Sequence, residues 1–123
     1  FSTLAALHSL ANLIRKMEDF DGALSLYQRV LSSKEKILGK THPSTLDTIM
    51  SIGMAYTYSN QYDKVEGLYR QTLETCERVL GKDHKDTMKC AENLIVVYGR
   101  WAEKEKMREM VKRYPFMLDD YEY

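Results

Sequence analysis

Three histidines (His8, His42, His84) and two cysteines (Cys76, Cys90) are the residues of this 123-residue chain best suited to metal binding or nucleophilic chemistry. Their spacing argues against both. A zinc ion takes three or four ligands at about 2.0–2.3 Å. His42 and His84 instead close two copies of one junction, Leu38-Gly39-Lys40-Thr41-His42 and Leu80-Gly81-Lys82-Asp83-His84. Residues at one phase of a repeat fall in separate, equivalent loops and do not converge on one ion. Each reads as a loop histidine hydrogen-bonded near a helix start. His8 has no cysteine or cluster of carboxylates beside it. Cys76 and Cys90 make neither a C-x-x-C pair nor a disulfide framework, and read as reduced thiols of an intracellular, cytoplasmic chain. No G-x-S-x-G, H-E-x-x-H, P-loop or G-x-G-x-x-G occurs. No catalysis, metal or cofactor is expected.

Composition narrows the classes further. Lys plus Arg number 18, as do Asp plus Glu, so the formal net charge is zero. Nucleic acid and anionic membranes call for a basic excess, and neither is expected as a partner. Five tyrosines (Tyr27, Tyr56, Tyr62, Tyr69, Tyr98) could stack on bases, but they recur at helical spacing and read as core, with hydroxyls satisfied at an edge. The longest aliphatic or aromatic run, Leu94-Ile95-Val96-Val97-Tyr98, is far short of the ~20 residues a membrane span needs. The chain opens on Phe1 without a signal-peptide pattern, and the simplest reading is a fragment of a longer protein.

The elements that would position these residues come from an internal repeat. The two glycines of the junction, Gly39 and Gly81, set an offset of 42, and Thr3, Thr45 and Thr87 keep it through three copies. Leu4 with Leu46, Leu26 with Leu68, Tyr27 with Tyr69 and Leu31 with Leu73 match at the same offset. Within copy one the apolar residues Leu4, Leu7, Leu10, Ala11, Ile14 and Met17 follow a helical period, then Ala23, Leu26, Tyr27, Val30, Leu31, Ile37 and Leu38 follow a second. Gly39 ends that second run. Ser2, Ser44 and Asp86 share one phase and are expected as N-caps, with Pro43 at a helix start. The expected first helices cover about residues 2–17, 44–59 and 86–101, and the second helices about 21–38, 63–80 and 103–113. No strand is expected. A single hairpin cannot bury its apolar face, so the copies must stack.

These residues resemble tetratricopeptide repeats of the 42-residue kinesin-light-chain type. The resemblance rests on the two junctions Leu38–Thr45 and Leu80–Thr87, and on the first-helix segments around Asn12, Ala55-Tyr56 and Asn93-Leu94. It also rests on Phe20-Asp21-Gly22-Ala23 with Tyr27, and Tyr62-Asp63-Lys64-Val65 with Tyr69. It implies an all-α, right-handed superhelical solenoid of three tetratricopeptide-like hairpins in a single domain. Repeat 1 covers about 2–43, repeat 2 about 44–85, repeat 3 about 86–114, and a short tail 115–123. The third copy departs from the pattern. Ile95 and Met107 stand where copy one has Ala11 and Ala23, and Lys104 replaces the aromatic of Phe20 and Tyr62, so this copy reads as degenerate.

The resemblance also implies a function: a module that binds a peptide or protein segment on a concave face lined by first helices. The candidate residues lie one turn off the core stripe. They are Asn12, Arg15 and Lys16 in copy one, Met50, Met54 and Tyr58 in copy two, and Lys89, Asn93, Val96 and Arg100 in copy three. With Asp47 and Glu92 included, the face has a slight basic excess that favours an acidic ligand. In kinesin-light-chain-type grooves an asparagine at the phase of Asn93 clamps a peptide backbone; Ser9 and Ser51 hold that phase in the other copies. The alternative is a segment of a longer repeat array that mediates oligomerisation or regulation in a multidomain receptor-like protein, with self-association through its ends or tail. The tail runs apolar at Phe116, Met117 and Leu118, then acidic and aromatic. It is expected either to occupy a groove or to cover the last hairpin.

Overall fold

The computed structural model describes residues 2–115, with side chains from residue 4 onward. Six helices follow in order: α1 (Ser2–Lys16), α2 (Phe20–Leu38), α3 (Pro43–Tyr58), α4 (Tyr62–Val79), α5 (Lys85–Arg100) and α6 (Lys104–Arg113). Every boundary lies within one residue of that expected from the periodicity. No strand occurs among the described residues. The expected tail, apart from Pro115, lies outside them.

The repeat is written into the backbone as well as the sequence. Each turn between a first and a second helix holds one left-handed residue: Glu18 at φ 67°, Asn60 at 60° and Ala102 at 60°. Each turn also makes the same two bonds. Glu18, Asn60 and Ala102 N–H donate to the carbonyls of Arg15, Thr57 and Gly99, and Asp19, Gln61 and Glu103 N–H donate to Ile14, Tyr56 and Tyr98. That pair of bonds is a Schellman closure, which satisfies carbonyls left open at a helix end. Asparagine tolerates the conformation, whereas Glu18 and Ala102 adopt it at roughly 1–2 kcal/mol each. Because none of the three is glycine, the sequence pattern did not reveal this phase.

Helix starts correct an expectation. Ser44 and Asp86 are not the N-caps. His42 and His84 are, at φ −64° and −68°, and their Nδ1 atoms accept from the N–H of Ser44 and Asp86, each at 3.1 Å. A serine or aspartate one or two positions inside the helix cannot fold its side chain back to the amide that an imidazole at the cap reaches directly. The expectation of loop histidines bonded near helix starts is met. The side chain of Ser2 lies outside the described residues.

The chain forms two compact units, Phe1–Lys64 and Val65–Tyr123. In the first, α2 packs against both α1 and α3. Ala11, Ala23, Tyr27, Val30, Leu46, Ile49, Ile52 and Ala55 are buried there. Ala11 and Ala23 are small where two helices must approach closely. In the second unit, Val65, Tyr69, Leu73, Ala91, Leu94, Ile95, Val97, Tyr98, Met110 and Val111 are buried. Helix α6 is the shortest, at 10 residues against 19 for α2 and 18 for α4.

Four residues expected in the core are exposed: Leu10, Met17, Ile37 and Leu38. Leu10 holds the core phase, but no described helix precedes α1 as α2 precedes and packs on α3. The equivalent Ile52 is 1% exposed and Leu94 0%, whereas Leu10 on α1 is 46% exposed. Met17 lies just past the end of α1, and Ile37 and Leu38 end α2. Val79, the counterpart of Ile37, is exposed too.

Candidate functional site

The candidate residues lie on α1 and α3 in the first unit and on α5 in the second. In the first unit Ala5, Lys16, Asp47, Met54 and Tyr58 are exposed, while Asn12, Arg15 and Met50 are half-buried. In the second, Lys89, Glu92, Val96 and Arg100 are exposed along α5, and Asn93 is half-buried. The phase of Lys16, Tyr58 and Arg100 is exposed in all three copies, as is that of Ala5, Asp47 and Lys89. Three of the exposed side chains are large and apolar or aromatic: Met54 (40%), Tyr58 (49%) and Val96 (42%). Asn93 encloses its Nδ2 without a hydrogen-bond partner.

Two candidates are turned inward. Tyr27, fully buried on α2, donates its hydroxyl proton to Asn12 Oδ1 and accepts from Arg15 Nε at 3.2 Å. Asn12 and Arg15 therefore hold the tyrosine that closes hairpin one, and the aromatic edge expected to find partners finds them on α1. The ring of His8 meets Tyr27 edge-on at 5.5 Å. His8 Nδ1 lies 3.3 Å from Thr48 Oγ1, which accepts from Lys34 Nζ at 2.9 Å. Burial first, and then the Lys34 ammonium, hold the His8 imidazole below its ordinary pKa, with Asp47 offsetting part of the effect. A neutral His8 fits this position between a cation and a buried ring.

The second unit carries polar centres that the sequence did not single out. Glu66 on α4 accepts from Tyr98 Oη at 2.7 Å, from Lys106 Nζ at 3.1 Å and from Arg70 Nε at 3.4 Å. Burial alone would push the Glu66 carboxyl up. Hydrogen bonds from Tyr98, Lys106 and Arg70, with the Lys106 charge, more than offset burial and hold it below its usual value. Lys106 also lies over the Trp101 ring at 5.1 Å. Glu77 accepts from Arg113 at 2.7 Å and from the hydroxyl of Tyr114. Tyr114, which follows α6, is 1% exposed and packs as core. Repeat matching missed these centres because Leu24 and Arg108 hold the phase of Glu66, and Val30 and Thr72 that of Tyr114.

These arrangements bind side chains to one another. Among the described residues no three His, Cys, Asp or Glu side chains gather as metal ligands. A cavity bounded by Arg70, Leu73, Glu74, Glu77 and Arg113 has both of its arginines paired to carboxylates. No helix among the described residues is long and apolar enough to cross a membrane.

Comparison with known proteins agrees with this architecture. The tetratricopeptide repeat profile matches residues 2–77. Two crystal structures of the nearly identical TPR-like repeats of a chain described as a kinesin light chain from Podosopora anserina, one of them a substituted variant, superpose with TM-scores of 0.82 at 22% identity. They cover 91% and 90% of this chain and 53% of theirs. BtubC (BKLC) from P. vanneervenii superposes at 0.73 with 18% identity, over 97% of this chain and 47% of its own. The chain thus spans about half the length of each of these neighbours. No curated protein matches it. The likeness fixes the fold as tetratricopeptide hairpins of an α-solenoid, a scaffold that in general mediates protein–protein interaction and is not catalytic. With most of its length matched by the family profile, the chain belongs to the tetratricopeptide repeat family.

Proposed function

We propose that the chain is a non-catalytic binding module for an extended, acidic protein segment, held on the concave face that first helices line in tetratricopeptide repeats. The exposure of Met54, Tyr58 and Val96 carries this reading. A purely solvated helix face gains nothing from three large side chains at two shared phases, whereas apolar and aromatic anchors are what binding surfaces concentrate. With Lys16, Lys89 and Arg100 exposed against Asp47 and Glu92, the first helices carry a slight basic excess, which draws carboxylates and disfavours basic ligands. Asn93 can turn its amide about the terminal bond to offer either its oxygen or its nitrogen to a peptide unit. No nucleic acid or membrane is required.

Panning a displayed peptide library tests the proposal. Acidic peptides with apolar anchors should be enriched. Their affinity should fall about tenfold or more in Met54→Asp/Val96→Asp, a change of about 1.4 kcal/mol or greater, while thermal stability holds because both sites are exposed. No enrichment, or peptides indifferent to the double change, would count against it.

A second reading rests on α1. Leu10, Leu13 and Met17 form an exposed apolar stripe, while Ile52 and Ala55, which match Leu10 and Leu13, are buried. That face would be covered by another tetratricopeptide hairpin in an array or assembly. Solution mass that rises with concentration, and ceases to do so in Leu13→Glu/Met17→Glu, would favour it. A constant monomer mass would remove it.

A further inference from the structure

The two thiols of the chain, Cys76 on α4 and Cys90 on α5, are in direct contact. Both are free thiols, 0% and 8% exposed, with their sulfurs 4.0 Å apart. Repeat geometry explains why they meet. Their counterparts 42 positions earlier are Lys34 and Thr48, and those two also touch, through the 2.9 Å bond from Nζ to Oγ1. In both units, therefore, these two phases face each other across the junction between a second helix and the next first helix. In one unit the facing groups hydrogen-bond. In the other they are a dithiol, which can make a covalent link.

We propose that Cys76 and Cys90 are a modification site, oxidised by a small peroxide to an internal disulfide that ties α4 to α5. The peroxide suits the site by size, since it is little larger than water and Cys90 keeps only 8% of its surface exposed. In the first step one of the two, as its thiolate, attacks one peroxide oxygen. The O–O bond breaks, hydroxide leaves, and the sulfur carries a sulfenic hydroxyl. In the second step the other sulfur attacks the sulfenic sulfur. The S–O bond breaks, and the second thiol's proton leaves with the hydroxyl as water. The thiols together lose two electrons and two protons, and one peroxide becomes two waters.

The contact lets either thiol donate to the other sulfur, so the one that loses its proton first is stabilised by its neighbour's S–H and attacks, and the other resolves it. Closing the sulfurs from 4.0 Å to the roughly 2.05 Å of a disulfide needs a shift of about 2 Å, shared between two side chains. The bond would fasten α5, the helix that carries Lys89, Asn93, Val96 and Arg100.

Hydrogen peroxide treatment of the folded, reduced chain tests the site. The expected product has lost two hydrogens by intact mass, has no titratable thiol, and runs as a monomer. Its thermal midpoint should rise and return on reduction with dithiothreitol. Each single serine variant should stop at an added oxygen on the remaining thiol, and neither should gain stability. Two thiols surviving in the folded chain, oxygen added to wild type without loss of hydrogens, or disulfides only between chains would each overturn the proposal. The single variants keep the test decisive, because serine is close in size to cysteine and either variant can be assayed for folding first.

Discussion

Tyr98→Ala should lower stability by about 3–5 kcal/mol, the range for removing a large aromatic from a core. Tyr98 is fully buried on α5, and its hydroxyl reaches Glu66 on α4. Truncation therefore opens a cavity and strips one donor from a carboxylate that is itself largely enclosed. Tyr98→Phe separates the two effects. It keeps the ring and deletes only the bond to a charged acceptor, and should cost about 1–3 kcal/mol. The two variants should also differ from wild type in their response to acid. The folded-state pKa of Glu66 is held below its usual value of 4.5. Its contribution is therefore fully present above 4.5 and is lost as pH falls through the lower folded value. Without the Tyr98 hydroxyl that depression shrinks, so the stability of Tyr98→Phe should fall less steeply in that acid window. Urea unfolding at a series of pH values measures both. Parallel pH curves for wild type and Tyr98→Phe would mean that the hydroxyl does not act through Glu66.

This centre also marks where sequence reading stopped. Helix existence, order and ends were legible because each depends on a pattern with its own period: apolar spacing for the helices, Gly39 and Gly81 for their ends. Which polar atom meets which was not. Phase places Asn12 and Arg15 one turn off the core, as it does Met54 and Tyr58. It does not say that Tyr27 reaches across to hold the first pair while the second stays exposed. Glu66, Lys106 and Tyr98 come from three helices, and only their packing brings them together. The caps failed for a different reason. Serine and aspartate outrank histidine in general capping preference, but the cap is decided by which residue has extended backbone angles, and here those residues are His42 and His84. Tyr114 was legible as the end of a helix but not as its anchor, since no other copy has a tyrosine there.

One repeat phase gives the sharpest test of the packing, because it holds a large aliphatic residue in all three copies and the surroundings differ. Ile52→Ala and Leu94→Ala should each cost about 2–5 kcal/mol, since both side chains are enclosed and a cavity must remain. Leu10→Ala should cost about 1 kcal/mol or less, because nearly half of the side chain already meets water and little transfer free energy is lost. Chemical denaturation of the three variants at low protein concentration measures the series. A small loss at Ile52 or Leu94 would mean that the 42-residue register does not set the core. A loss at Leu10 as large as at the other two would mean that α1 is covered in solution. If that loss faded on dilution, the cover would be a second chain, and the array reading would gain over the peptide-binding one. Equivalent repeat positions need not have equal energetics: sequence sets the phase, and the neighbouring helix decides what that phase is worth.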